Sequence, residues 1–295
     1  MLLELNGIRM SYTGGHRAIC CRRSAAAAPS PEEGTTLIDK NDSEASVVGS
    51  PKRRDLLDGV DLSIPEGEVT ALIGGNGAGK TTLFNIISGF EKNYSGTVCF
   101  NGRKITRLSP HHISRLGIGR LFQGRQLMEN LTLKENLLLA TGASFYESPF
   151  AAFLPHILIR RSEEKKTERA KEILVRLFGP DNVYLDKLDT KSSELSYGQQ
   201  RLMALVRLLM GNYRLLLLDE PTSGISPSLF GAFREIIREM VDKEGKTIVL
   251  IEHNMGFVRE VADNCNYLAE GKIILKGKAS EVLDDPVIRK DYMGL

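Results

Sequence analysis

The stretch Leu195–Gly224, LSYGQQRLMALVRLLMGNYRLLLLDEPTSG, decides how the rest of the chain is read. Its first half opens on a small polar turn at Ser196 and continues with Leu202, Leu205, Leu208 and Leu209 at helical spacing, a face that belongs in a core. Ser196 is a good N-cap and Gly211 a good terminator, so the pattern predicts one helix between them. The free amides and dipole at such a helix start suit an anion as readily as a cap. In the second half, Leu215 to Leu218 is too short to span a membrane and suits a central parallel strand. Asp219 and Glu220 end that strand, and Pro221 breaks it so that both carboxylates face a crevice. An isolated Asp-Glu junction is commonplace. Its meaning depends on what precedes it.

What precedes it is GGNGAGKT, Gly74 to Thr81, a match to G-x-x-x-x-G-K-[ST] without exception. VTALI, before the loop, reads as a buried strand, and TTLFNIISGF, after it, as a helix ending near Gly89. Between strand and helix the backbone of Gly74, Gly75, Asn76, Gly77, Ala78 and Gly79 can curl its N–H groups around phosphate oxygens. Lys80 then supplies a point charge for the β- and γ-phosphates, Thr81 a hydroxyl ligand for Mg²⁺, and Thr82 a further nucleotide contact. A glycine-rich turn before an ordinary helix is the plainer alternative. The register of strand, loop, Lys-Thr and helix together argues against it. With the loop present, Asp219 is placed to hold the metal and Glu220 to polarise an attacking water. A further apolar run, KTIVLI, leads to His253 at the same predicted sheet edge, where the ring can donate to a γ-phosphate. Without the other motifs this histidine reads as an ordinary surface or core residue.

Together these motifs resemble the ATP-binding subunit of an ATP-binding cassette (ABC) transporter. The matching residues are GGNGAGKT, the glutamine loop LFQ ending at Gln123, the signature LSYGQQ, LLLLDE, the loop SGIS and His253, in the family order and over nearly the whole chain. TTLFNIISGF, LGIGRLFQ, ENLTLKENLLLA, LSYGQQRLMALVRLL, IEHNM and DDPVIRKDYMGL are more narrowly similar to the branched-chain amino acid importer subgroup, of which Tyr197 is one mark.

The resemblance implies an α/β fold: a P-loop NTPase cassette with a mainly parallel core sheet, an antiparallel β subdomain and a helical signature subdomain. It implies one ATPase domain over residues 1–295. Residues 1–122 would carry the β subdomain and phosphate loop, 123–190 the helical subdomain, and 191–295 the signature and the rest of the core. ATP and Mg²⁺ are the implied cofactors, with Thr81, Asp219 and Gln123 around the metal and Glu220, His253 and Gln123 around the chemistry. Two ATPase subunits would pair head to tail, so that Ser196, Gly198 and Gln199 reach the nucleotide held by the partner. Tyr12 would stack on adenine. Other implied partners are polytopic membrane permease subunits and a solute-binding protein, with this chain peripheral on the cytoplasmic face of the inner membrane. A groove in the helical region would receive a coupling helix. Phe122, Leu127 and Met128 could line it, although core packing is the simpler expectation for any one of them.

Three positions depart from the family pattern: Gly75 for a proline, Ser226 for Asp or Asn, and Asn254 for an Asp. None removes a catalytic group. A larger departure is residues 13–54, rich in Ala, Ser, Gly and Pro and poor in large apolar residues, which reads as a disordered surface insertion. The alternative is a regulatory or partner-binding flap beside Tyr12. Cys20-Cys21 within it lacks C-x-x-C spacing, which argues against a zinc or redox site.

A formal net charge of +2 gives no electrostatic case for nucleic-acid binding. Four cysteines, scattered apart from one adjacent pair, suggest a reducing compartment. MLLELNGIRMSY lacks the features of a signal peptide and reads as a first strand. FAAFLPHILI is too short and too interrupted to span a bilayer, so any pore belongs to other chains. RRSEEKKTERAKEILVRLFG reads as a helix with Ile173, Leu174 and Leu177 inward and its charges solvated. Two other function classes stay open here: a soluble ABC-type switch acting on nucleic acid or ribosomes, and the ATPase of an exporter or lipid-extraction system. The first usually carries two cassettes or long coiled-coil insertions, and neither is present.

Overall fold

A computed structural model describes residues 1–11, 55–124, 127–141 and 156–293. Tyr12, the 13–54 segment with Cys20 and Cys21, and residues 150–155 of the apolar FAAFLPHILI run lie outside the described residues.

The described chain runs β1 (Leu3–Ser11), β2 (Asp55–Ile64), β3 (Val69–Ile73), α1 (Lys80–Ile87), β4 (Ser95–Phe100), β5 (Arg103–Lys104), α2 (Pro110–Arg115) and β6 (Ile118–Leu121). It continues through α3 (Leu133–Leu138), α4 (His156–Phe178), α5 (Val183–Asp186), α6 (Tyr197–Met210), β7 (Leu215–Asp219), α7 (Phe230–Asp242), β8 (Thr247–Ile251) and α8 (Met255–Val261). β9 (Asn264–Ala269), β10 (Lys272–Lys278), α9 (Ala279–Leu283) and α10 (Pro286–Met293) complete it.

Two sheets carry the architecture. One is antiparallel with strand order β2-β1-β4-β5; the other has the order β10-β9-β3-β8-β7-β6 and is parallel except for its β9–β10 pair. VTALI, LLLLD and TIVLI are buried at every position, as strands covered on both faces must be. Their alternate side chains enter different cores. Leu216, Leu218, Ile248 and Leu250 pack with Leu202, Leu205 and Leu209 of α6 and Phe233 and Ile236 of α7. Leu215, Leu217, Val249 and Ile251 pack with Leu83, Phe84 and Ile87 of α1 and with Leu3, Leu5 and Ile8 of β1. Because β3, β8 and β7 are parallel neighbours, their C-terminal ends emerge along one edge. That edge is where an open α/β sheet offers a ligand crevice.

In β1 and β2 the register pairs Leu3 with Ile64 and Ser11 with Asp55, so Ser11 and Asp55 stand side by side. α4 buries Ala170, Ile173 and Leu174 and leaves Glu163, Glu164 and Lys165 in solvent, as its sequence pattern requires. Among the described residues no helix is long and apolar enough to cross a membrane.

Candidate functional site

The phosphate loop leaves β3 at Gly74, where a Cβ would stand 2.1 Å from the Leu268 carbonyl oxygen on β9. No side chain fits there, so the loop can hug the neighbouring strand only with glycine. Gly79 caps α1 at φ 102 without any side-chain hydrogen bond, which leaves the first-turn amides for a ligand. Gly75 has nothing within 4 Å of a would-be Cβ, so the departure at this position meets no steric demand. Lys80 is 6% exposed, and its Nζ donates to the Gly74 carbonyl at 2.6 Å and the Gly75 carbonyl at 3.0 Å. Burial draws its pKa down, against the pull of Glu220 and Asp219. Asn76 to Thr82, Glu220 and His253 line one cavity at this edge.

Glu220, from the end of β7, lines the same cavity. Gln123 donates from Nε2 to its Oε2 at 2.8 Å, and the His253 Nε2 lies 3.1 Å from its Oε1. The residue sits at φ 48, a conformation that side chains other than glycine adopt at an energetic cost. The turn is held from several directions: Glu220 N–H donates to Ile251 O at 2.9 Å, and Ser223 N–H to Glu220 O at 3.1 Å. A carboxylate with two oxygens and about four lone-pair sites can keep both partners and still accept from a water. Asp219 is 3% exposed, and burial raises its pKa against the lowering effect of its bond to Arg120.

Three supporting residues have no place in the motif reading. Arg120 Nη2 donates to Asp219 Oδ2 at 2.9 Å. Arg201, 2% exposed on α6, donates to the backbone carbonyls of Pro221 at 2.8 Å, Gly124 at 3.0 Å and Asp219 at 3.0 Å, and also to that of Glu220. The buried Glu252 accepts from the Thr222 N–H at 2.8 Å and hydroxyl at 2.6 Å, and from the His253 N–H at 3.1 Å. It thereby ties the His253 segment to the turn after Asp219. The available signal was a charge inside or at the end of an apolar strand, as in IGRL and TIVLIE.

Thr81 and Asp219 offer hard oxygen donors, and Gln123 an amide oxygen. That chemistry suits Mg²⁺, which takes one or two protein ligands beside phosphates and water. Among the described residues no three His, Cys, Asp or Glu side chains cluster so as to hold a metal ion.

Ser196 caps α6 in a reciprocal box: the Gln199 N–H donates to its Oγ at 3.3 Å, and its own N–H donates to Gln199 Oε1 at 3.1 Å. Neither residue lines the phosphate-loop cavity, nor does Gly198. Ser196 and Tyr197 are exposed. Of the departures, Asn254 caps α8 by accepting from Phe257 N–H at 3.0 Å, a role Asp would fill equally. Ser226 caps the turn Pro227–Leu229.

A second cavity, of about 450 Å³, is lined by Phe90, Phe122, Met128, Leu139, Arg120 and Arg207 among others. Leu127 is 5% exposed and belongs to the core, whereas Phe122 is 36% and Met128 57% exposed. Core packing therefore holds for Leu127 and is corrected for the other two. The buried Asn136 fixes the backbone at Met128 and ties it to Ser192: its Oδ1 accepts from Met128 N–H at 2.7 Å, and its Nδ2 donates to Met128 O at 3.0 Å and to the Ser192 hydroxyl at 2.7 Å. Arg207, half-buried in the cavity wall, has its pKa drawn down by burial.

A phosphate loop after β3, a carboxylate pair at the end of β7 and a histidine after β8 define an α/β nucleoside-triphosphatase. Comparison with known proteins narrows this. Residues 57–223 match the ABC transporter family. The chain is 35% identical to the probable branched-chain amino acid transport ATP-binding protein LivG of Archaeoglobus fulgidus, covering 81% of this chain and 89% of the relative. It is 33% identical to the high-affinity branched-chain amino acid transport ATP-binding protein BraF of Pseudomonas aeruginosa, covering 81% and 91%. A solved ATP-binding cassette of an ABC transporter superposes with a TM-score of 0.70 at 28% identity, covering 99% of this chain and 98% of that one. This chain belongs to the ABC transporter family and is an ATPase subunit of that family.

Proposed function

We propose that this chain hydrolyses ATP to drive import of branched-chain or related amino acids through membrane subunits to which it binds from the cytoplasmic face. The Glu220 carboxylate, clasped by Gln123 and His253 at the rim of the phosphate-loop cavity, is the observation that carries the chemistry. The cargo class rests on the names of the relatives, and the solute-binding and permease partners rest on the resemblance to the importer subgroup.

In this reading the loop amides from Gly74 to Gly79 receive the β- and γ-phosphates, with Thr82 beside them. Lys80 turns from the Gly74 and Gly75 carbonyls toward the incoming charge, which replaces neutral acceptors with anionic ones. Glu220 orients a water on the γ-phosphorus and accepts its proton as the oxygen bonds to phosphorus. The bond from phosphorus to the β–γ bridging oxygen breaks, leaving ADP and phosphate. Mg²⁺, when bound through Thr81, Asp219 and Gln123, neutralises charge on the phosphate oxygens. His253 donates to the γ-phosphate, and Tyr12 stacks on adenine.

Ser196, Gly198 and Gln199 serve the nucleotide of a second ATPase subunit. The support is that they line no part of this chain's own cavity while the α6 start is exposed. The groove at Phe122 and Met128 receives a membrane subunit. The test is Glu220→Gln in the purified chain. Turnover should vanish while ATP binding persists and ATP traps a dimer seen by size exclusion. Turnover at the parent rate would remove Glu220 as the base.

A further inference from the structure

Arg120 joins the apolar groove, whose wall it helps to form, to Asp219. It lies on β6, whose other positions are apolar or glycine, IGRL. Its guanidinium lies near two rings, with Cζ 4.5 Å from the Phe122 centroid and 5.6 Å from that of Phe84. Nη1 donates to Asn85 Oδ1 and Ser88 Oγ, both at 2.8 Å, while Nη2 donates to Asp219 Oδ2 at 2.9 Å. The side chain is 6% exposed, and its buried Nε has no hydrogen-bond partner. Three hydrogen bonds thus aim the guanidinium, and the Phe122 ring lies against it. Phe122 meets Phe90 edge to face at 5.2 Å, and both rings are part of the groove wall. Two side chains therefore connect whatever sits in the groove with Asp219.

We propose that Arg120 is a positioning residue that ties the aromatic wall of the groove to Asp219, so that pressure on Phe122 alters the hold of Asp219 on its divalent cation. This rests on the reading of Asp219 as the metal carboxylate and of the groove as a docking place. The physical basis is that a ligating carboxylate takes its orientation from the groups that bond its other oxygen, and that losing such a partner lowers metal affinity about 10–100-fold. A residue that only neutralised Asp219 would be indifferent to Phe122, which carries no charge. A positioning residue is not, because the ring packs against the guanidinium and attracts its charge.

The test measures binding of a fluorescent, non-hydrolysable ATP analogue to the full-length chain, once with Mg²⁺ and once with EDTA. The ratio of the two affinities reports the metal. Asp219→Asn should collapse the ratio. Arg120→Met should lower it about tenfold, Phe122→Ala severalfold, and Arg120→Lys should fall between parent and Arg120→Met. Ile274→Ala, an exposed apolar position on β10 outside the groove, should leave it unchanged, and the EDTA affinity should hold throughout. Thermal melting checks folding, and if Arg120→Met does not fold, Phe122→Ala decides. Parent ratios in both Arg120→Met and Phe122→Ala, beside a collapsed ratio in Asp219→Asn, would overturn the coupling alone. A parent ratio in Asp219→Asn would overturn the metal reading and the proposal with it.

Discussion

Arg120 on β6 and Arg201 on α6 both reach the end of β7, and both are withdrawn from solvent, yet they answer different needs. Arg120 bonds the Asp219 side chain, so its charge meets a charge. The hydrogen bonds of Arg201 go to backbone carbonyls, those of Gly124, Asp219, Glu220 and Pro221. One arginine sets where a carboxylate points, and the other sets the path of the chain that carries it. The second task is the larger. Glu220 sits at φ 48, and a strained turn persists only where its surroundings over-determine it. Arg201 also reaches Gly124, next to Gln123, so it ties both halves of the Gln123–Glu220 contact to the helix that begins at Ser196.

The largest effect therefore belongs to Arg201→Met. Stripping a buried charge from several carbonyl acceptors should lower unfolding stability by about 3–5 kcal/mol. Turnover should fall at least hundredfold as Glu220 leaves its turn, while nucleotide affinity changes little. Chemical denaturation and steady-state hydrolysis measure the two. A variant with parent stability would show that backbone alone holds this turn.

A double-mutant cycle sharpens the contrast. Arg120→Met leaves Asp219 buried and unpaired, and Asp219→Asn in the same chain removes that charge. The pair should recover on the order of 1–3 kcal/mol relative to the sum of the single changes. Arg201→Met combined with Asp219→Asn should come closer to additive, because Arg201 bonds the Asp219 carbonyl, which asparagine retains. Equal coupling energies in the two cycles would erase the distinction drawn between the arginines.

The caps of α3 and α6 repeat the lesson at smaller scale. Thr132 with Glu135 and Ser196 with Gln199 form the same capping box. Replacing either Thr132 or Ser196 by Ala should lower stability by about 1 kcal/mol. Only Ser196→Ala should also depress hydrolysis, since only that helix start is proposed to meet a second subunit's nucleotide. Matching turnover losses in the two variants would reduce Ser196 to a cap.

Much of this was legible in the sequence because it is local. VTALI, LLLLD and TIVLI announce buried strands, GGNGAGKT can be read from spacing, and Ser196 to Gly211 delimit α6 as they do in the structure. The clasp on Glu220 was legible only as a list of residues, since Gln123 and His253 lie far from it in sequence and converge through the strand order β8-β7-β6. The partners of the arginines were not legible. A charge in IGRL or QQRLMA carries no mark of its partners until the sheet is built, and Glu252 hides directly after a strand for the same reason. For Phe122 and Met128 hydrophobicity favours the core, and only the fold reveals which apolar side chains stay exposed to solvent.

The smallest expected effect comes from a third arginine arrangement, in which solvent does most of the work. Asp284 accepts from Arg259 Nη2 at 2.8 Å and Arg289 Nη2 at 3.0 Å on the surface beside α8 and α10. The bonds from Arg259, then from Arg289, hold its pKa down to about 2. A depressed folded-state pKa contributes stability above the ordinary carboxylate value, and that contribution is lost as pH falls through the folded value. The stability gap between the parent and Asp284→Asn should thus be small and constant near neutrality, then close between about pH 4 and pH 2. Salt should shrink it, as screening does for exposed pairs. The Arg120–Asp219 pair, shut away from ions, should be far less sensitive to salt. Urea midpoints at low and high ionic strength compare the two directly, and equal salt sensitivity would mean that burial is not what separates them.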